Sequence, residues 1–184
     1  MEHIILPEKT YMKMENGFPK INFSDSINSS SIKSFIHTLE DLCAQHPEAK
    51  TLVINISSPG GDVDVAIEMF HFLRNLDCEI QTVNTSYVNS AAVLIYLAGD
   101  VRICHSGSTF YIHSISKRLK GVYDVQSLLR EAKEISANTD IVTTLLEQRT
   151  KKSRRYWKNL MSKGCILKAD QAVKSGLASI IINN

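Results

Sequence analysis

Between Thr51 and Ile56 the chain reads Thr-Leu-Val-Ile-Asn-Ile, an almost unbroken run of β-branched and apolar side chains that breaks on Ser57-Ser58-Pro59-Gly60-Gly61. A strand with one face in water alternates polar and apolar residues. A run without that alternation fits a strand covered on both faces, as in a parallel sheet flanked by helices. Parallel neighbours need crossover connections, so helical patterns should flank the run. Upstream, Ile32, Phe35, Ile36, Leu39 and Leu42 recur at helical spacing behind the cap-rich stretch Ser24–Ser31 and stop at His46-Pro47. Downstream, Val65, Ile67, Met69, Phe70 and Leu73 mark a second helix.

The same alternation continues to the C-terminus. Lys20–Phe23, Glu79–Val83, Val101–Cys104, Thr109–Ile112 and Ala178–Ile182 read as strands. Asn89–Ala98, a long pattern from Val122 to about Arg149, Ser153–Met161 and Ala169–Ser175 read as helices. Strand and helix in repeated succession are the mark of an α/β fold. At 184 residues, one domain is expected. We place it at residues 20–184, with residues 1–19 as an N-terminal arm.

Charge and cysteine usage narrow the function classes. The net charge is +2, and the basic run Lys151, Lys152, Arg154, Arg155, Lys158 fits a solvated helix face, so no nucleic-acid partner is expected. Cys43, Cys78, Cys104 and Cys165 are scattered without zinc-ligand spacing, which implies free thiols in a reducing compartment and no metal. The N-terminal residues lack the charged and apolar regions of a secretory signal, and no apolar stretch reaches the ~18 residues of a membrane span. A cytoplasmic protein with no membrane partner is expected.

Three features carry chemistry. Gly60 and Gly61 follow a buried strand, where glycine lets the backbone take positive φ and bring amide N–H groups up to a ligand. Two such donors would suit the oxyanion of a tetrahedral acyl intermediate, though Pro-Gly-Gly is also a common tight turn. Ser90, in Asn89-Ser90-Ala91-Ala92, stands where a strand-and-loop region meets an apolar helix. The position suits a nucleophile, and equally a simple helix cap. His113 ends the strand Thr109–Ile112, on the side of an α/β sheet where ligands usually bind. His3, His37, His46, His71 and His105 sit in helices or loops with no partner motif.

Taken in order, these segments resemble the proteolytic subunit of the Clp protease. The resemblance rests on Ile54-Asn-Ile-Ser-Ser-Pro-Gly-Gly61, Asn89-Ser-Ala-Ala92 followed by Leu97-Ala-Gly99, Tyr111-Ile-His113, Gly121 before a long helix, and Ala169-Asp-Gln-Ala-Val-Lys-Ser-Gly-Leu177. It spans roughly residues 20 to 182. It implies a ClpP/crotonase-like fold of repeated β-β-α units with a protruding handle helix. It further implies an ATP-dependent serine endopeptidase acting on protein or peptide substrates without a cofactor, with Ser90 as nucleophile and His113 as general base. The backbone N–H groups of Gly61 and Ala91 would form the oxyanion hole. Self-association into a heptamer or double heptamer and an AAA+ unfoldase partner are implied as well.

Several positions depart from that pattern. The family's third catalytic residue is an aspartate, and registering the closing helix puts Gly164 there. Asp170 lies nearby and reads as a helix cap. The orienting partner of His113 would then be a backbone carbonyl, a water or another residue, or the chain would be a catalytically silent ring or scaffold subunit. Asn89 stands where glycine or alanine is usual. Ser114–Lys120, which would bind substrate by strand addition, is basic and lacks the expected glycine pair. Two other readings stay open on the residues: a serine–lysine peptidase with Lys133 as base, and a crotonase-type acyl-CoA enzyme.

Overall fold

The computed structural model describes residues 5–6 and 18–183. Its strands are β1 (Ile5–Leu6), β2 (Lys20–Phe23), β3 (Thr51–Ser58), β4 (Glu79–Asn89), β5 (Val101–His105), β6 (Thr109–Ile112), β7 (Cys165–Lys168) and β8 (Ile180–Ile182). The helices are α1 (Ser29–Gln45), α2 (Val63–Arg74), α3 (Ala92–Leu97), α4 (Val125–Arg149), α5 (Arg154–Lys163) and α6 (Ala169–Ser175). Most of the predicted arm lies outside the described residues; its strand β1 pairs with β8.

The sheet runs β1-β8-β5-β4-β3-β2 with every pairing parallel, and β6 and β7 branch from it. The run at Thr51–Ser58 is buried or nearly so at every position, as its missing alternation predicts for a central strand. Helix α1 caps on Asn28, whose side chain accepts from Ser30 N and Ser31 N, and lays Ile32, Phe35 and Leu39 on the sheet. Helix α2 caps on Asp62 and buries Ala66, Met69, Phe70 and Leu73. Helix α3 is buried along its whole length, so it threads the core.

Strand β4 differs from expectation in a way that shapes the site. It runs on past Val83 to Asn89, where a helix was predicted to open. Its first half pairs with β5, from Gln81↔Val101 to Asn84↔Cys104, and its last residues pair with β6, from Tyr87↔Thr109 to Asn89↔Tyr111. One strand therefore serves two neighbours in succession. Strand β7, not anticipated, runs antiparallel to β6, with Ile112 opposite Cys165.

Helix α4 spans 25 residues, about 37 Å at 1.5 Å per residue. Only its C-terminal third reaches the core, through Val142, Leu145 and Leu146. Val125, Leu128 and Leu129 near its start are exposed, so it projects as a handle. Among the described residues, no helix is long and apolar enough to cross a membrane.

Candidate active site

The register of three parallel strands gathers the predicted residues at one edge. Ser58 on β3 lies opposite Val88 on β4, so two residues farther along Gly60 is level with Ser90. Asn89 on β4 lies opposite Tyr111 on β6, so Ser90 is level with Ile112 and His113 follows one residue on. Ser90 N donates to Tyr111 O at 2.7 Å, and the Asn89 Oδ1 accepts from Tyr111 N at 3.2 Å. The asparagine that departs from the family pattern thus fastens β6 beside the serine.

Ser90 is not a helix cap. The cap position of α3 is Ala91, which makes no side-chain cap bond. Ser90 has φ 54, the sole positive value for a non-glycine among the described residues. Such backbone is sparsely populated for a residue with a Cβ, and holding it costs on the order of 1–3 kcal/mol. The sharp turn lifts the serine out of the strand before the chain enters α3, and the hydroxyl forms no hydrogen bond among the described residues.

Gly60 has φ 89, and a Cβ there would lie 2.5 Å from Asn89 O, 2.8 Å from Ser90 Cβ and 3.0 Å from Ala91 N. Only a glycine lets the two turns touch. Ile27 grips the next stretch: its N–H donates to Gly60 O at 2.8 Å, and its carbonyl accepts from Asp62 N at 2.9 Å. That parallel bridge brackets Gly61, whose own N–H therefore points away from Ile27. Neither the Gly61 nor the Ala91 amide has an acceptor among the described residues. Ala91 lines the recess that Ser90 and His113 share, whereas Gly61 lines the neighbouring one toward Lys117 and Glu134; two free amides are the kind of donors that an acyl oxyanion requires. Ser58 stiffens the turn, donating to Asp25 O at 2.6 Å while its Oγ accepts from Gly60 N at 3.2 Å.

Ser90 and His113 line the same narrow recess, which opens to solvent. Its other walls include Val63, Leu94, Ile112, Val142, Leu146 and Met161, so it suits an apolar side chain. The His113 Nδ1 lies 2.7 Å from the carbonyl oxygen of Ser114. A carbonyl can only accept, so Nδ1 carries a proton, and in the neutral ring the lone pair is then on Nε2. Ser114 is itself tied down, its hydroxyl donating to Met161 O at 3.2 Å. Of the partners allowed for His113 by the sequence, the backbone carbonyl is the one found.

Gly164 lies where the sequence register put it, next to the histidine. It ends α5 in the left-handed conformation, φ 65, and a Cβ there would be 3.9 Å from His113 Cβ and 3.4 Å from the Tyr111 hydroxyl. Asp170 is not the cap of α6; the cap position is Lys168, and Asp170 stands in the first turn, 3.5 Å from Lys174 Nζ. Tyr111, a residue that sequence reasoning passed over, stacks on His113 with centroids 4.9 Å apart and planes 24° apart. Its place one pleat before the histidine was the only available signal. Lys133 is exposed on α4 and does not line the recess.

The segment after His113 has no strand. It is pinned instead to the handle by Lys117, which pairs with Glu131 at 2.7 Å and Glu134 at 3.0 Å. Hydrogen bonds to those carboxylates, Glu131 first, hold the Lys117 ammonium well above its ordinary range. Among the described residues, no group of three or more His, Cys, Asp or Glu could hold a metal ion.

The family model described as Clp protease matches residues 9–184. The chain belongs to the Clp protease family. It is 29% identical over 148 residues to the ATP-dependent Clp protease proteolytic subunit 2 of Treponema denticola, covering 79% of this chain and 71% of that one. Against the protein of the same description from Treponema pallidum it is 30% identical over 145 residues, covering 73% and 67%. A mutant of ClpP1 from Listeria monocytogenes has the same fold, with a TM-score of 0.79 at 21% identity over 90% of this chain and 91% of that one.

Proposed function

We propose that this Clp-family chain is a serine endopeptidase in which Ser90 attacks the peptide carbonyl and His113 acts as general base. The observation that carries this reading is the positive-φ turn at Ser90, pressed against Gly60 and opening on a recess shared with His113. His113 Nε2 takes the Ser90 proton as the hydroxyl attacks; the amides of Gly61 and Ala91 receive the oxyanion. The imidazolium then protonates the leaving amine, and water, deprotonated by the same nitrogen, releases the acyl group from Ser90. Residues 20–184 form the peptidase domain and residues 1–19 an arm.

The handle supports assembly. Val122, Val125, Leu128, Leu129 and Ile141 leave apolar surface in water, and covering it gives a reason for two rings to mesh through α4. The ring would be homo-oligomeric and fed by an AAA+ unfoldase; the Treponema relatives are themselves named as ATP-dependent. Four free cysteines support a reducing, cytoplasmic setting.

A second reading, a catalytically silent ring subunit, is favoured by Gly164, which leaves no carboxylate to balance the His113 imidazolium. One experiment separates the two. The purified chain is incubated with a fluorophosphonate probe beside Ser90→Ala, at concentrations spanning its oligomeric states. Covalent labelling that vanishes in Ser90→Ala upholds the peptidase; an unlabelled chain in every oligomeric state leaves the silent subunit.

A further inference from the structure

A carboxylate opposite a catalytic imidazole fixes the tautomer, holds the ring in one rotational setting and balances the positive charge that develops. At Gly164 this chain has none. The Nδ1 contact to the Ser114 carbonyl favours the Nδ1–H tautomer only while the ring keeps this plane, and a single hydrogen bond to the adjoining residue leaves the ring free to pivot out of it. Something else must hold the plane. The aromatic face of Tyr111 lies against the imidazole at 4.9 Å and 24°. Its hydroxyl end reaches over Gly164, 3.4 Å from where a Cβ would stand. A Cβ at 164 would stand in ordinary contact with the phenol, so the glycine borders the stack without being required for it.

Tyr111 is in turn held firmly. Its carbonyl accepts from Ser90 N and its N–H donates to the Asn89 side chain, so its backbone is clamped from the strand that carries the serine. On its other side β6 is paired with β7, Tyr111 opposite Ile166. The path from Ser90 through the Tyr111 backbone to the Tyr111 ring and on to His113 is short and contains no long flexible side chain.

We propose that Tyr111 is the positioning residue of His113, its ring face and the Ser114 carbonyl together doing the orienting work of the absent carboxylate. This rests on the reading of Ser90 and His113 as a catalytic pair. A stacked aromatic pair is worth about a two- to tenfold bias in the population it favours, so the effect is modest and measurable. The electron-rich face also favours the imidazolium as it forms. The phenol hydroxyl takes no part in either effect.

The test compares the full-length chain with Tyr111→Phe, Tyr111→Leu and Tyr111→Thr, each checked for folding by circular dichroism. Tyr111→Thr serves if the leucine does not fold, because a β-branched residue suits β6. Two readouts are taken. The ¹⁵N spectrum of the His113 ring reports the tautomer directly and needs no turnover. The rate of fluorophosphonate labelling at Ser90 reports the pair in action. Wild type and Tyr111→Phe should both show a single Nδ1–H tautomer and label within twofold of each other. The variants without a ring should show mixed tautomers and label about two- to tenfold more slowly. A ringless variant with the wild-type spectrum overturns the proposal, as does a Tyr111→Phe variant that behaves like the leucine. If the wild-type chain does not label at all, the peptidase reading falls, and the ¹⁵N comparison alone still decides whether Tyr111 orients His113.

Discussion

The Cβ that any side chain at position 164 would carry falls 3.9 Å from the Cβ of His113. Gly164 sits exposed at the end of α5 with φ 65, a conformation that aspartate and asparagine tolerate better than other residues. Gly164→Asp should therefore fold, destabilised by no more than about 1–2 kcal/mol. Loss of the carboxylate lowers turnover in serine peptidases by up to about 10⁴-fold, so its introduction should raise peptide hydrolysis by about tenfold or more. Gly164→Asn should give much less. Steady-state assays on a fluorogenic peptide decide it, and equal rates in all three chains would show that position 164 does not address the histidine.

Gly60 is the second site at which one atom decides. A methyl there would meet Asn89 O at 2.5 Å, with φ 89 disfavoured as well. Overpacking and backbone strain together should cost about 2–5 kcal/mol. Gly60→Ala should lower the urea midpoint and abolish Ser90 labelling, and a variant that unfolds and labels like wild type would contradict the close approach described here.

The apolar recess predicts the residue preferred on the acyl side of the cut. An unpaired carboxylate placed among Leu146, Met161 and Val142 loses its hydration, at a cost above about 3 kcal/mol. Peptides with leucine or methionine at that position should be cleaved over about 100-fold faster than those with aspartate. Comparable rates across a peptide library would remove the recess from the specificity argument.

Cys104 supplies a dependence on pH. It is fully buried on β5, and burial pushes its thiol up to about 12 from an ordinary 9.0. The unfolded chain releases this proton first as pH rises, so the folded state loses stability across the window from about 9 to about 12. Below 9 both states keep the proton and the contribution is constant. Cys104→Ala should flatten the fall in stability over that window, measured by urea unfolding at a series of pH values. At pH 8 a thiol reagent should modify the partly exposed Cys43, Cys78 and Cys165 well before Cys104.

Much of this architecture was readable from residues alone, for physical reasons that also explain the gaps. Strand β3 announced itself because burial on both faces demands a continuous apolar run, and α1 and α2 because a half-buried helix repeats every three or four residues. Strand β4 was cut short at Val83 because its second half changes partner. Thr85, Ser86 and Tyr87 are exposed there, and an exposed stretch carries no apolar signal. The four-residue β7 carries little signal of its own, since Ile166 faces solvent. Ser90, His113 and Gly164 were singled out by the family resemblance that the ordered motifs carry, since each motif alone is ambiguous. The positive φ at Ser90 was not legible, because nothing in a serine forecasts it. The Tyr111 stack was equally hidden, since spacing along a strand says which residues share a face but not which rings meet.

The bridge from Ile27 to Gly61 has a bearing on how such chains diverge. In the proposed mechanism, apart from the hydroxyl and the imidazole, the polar groups of the reacting centre are main-chain atoms: the amides at 61 and 91 and the carbonyl at 114. Main-chain groups are supplied by every residue except proline, so mutation can replace the surrounding side chains freely while the polar scaffold survives. A backbone match of 0.79 at only 21% identity is the pattern such tolerance would leave. Selection in this lineage need guard only the few positions whose shape, rather than chemistry, keeps those atoms aimed.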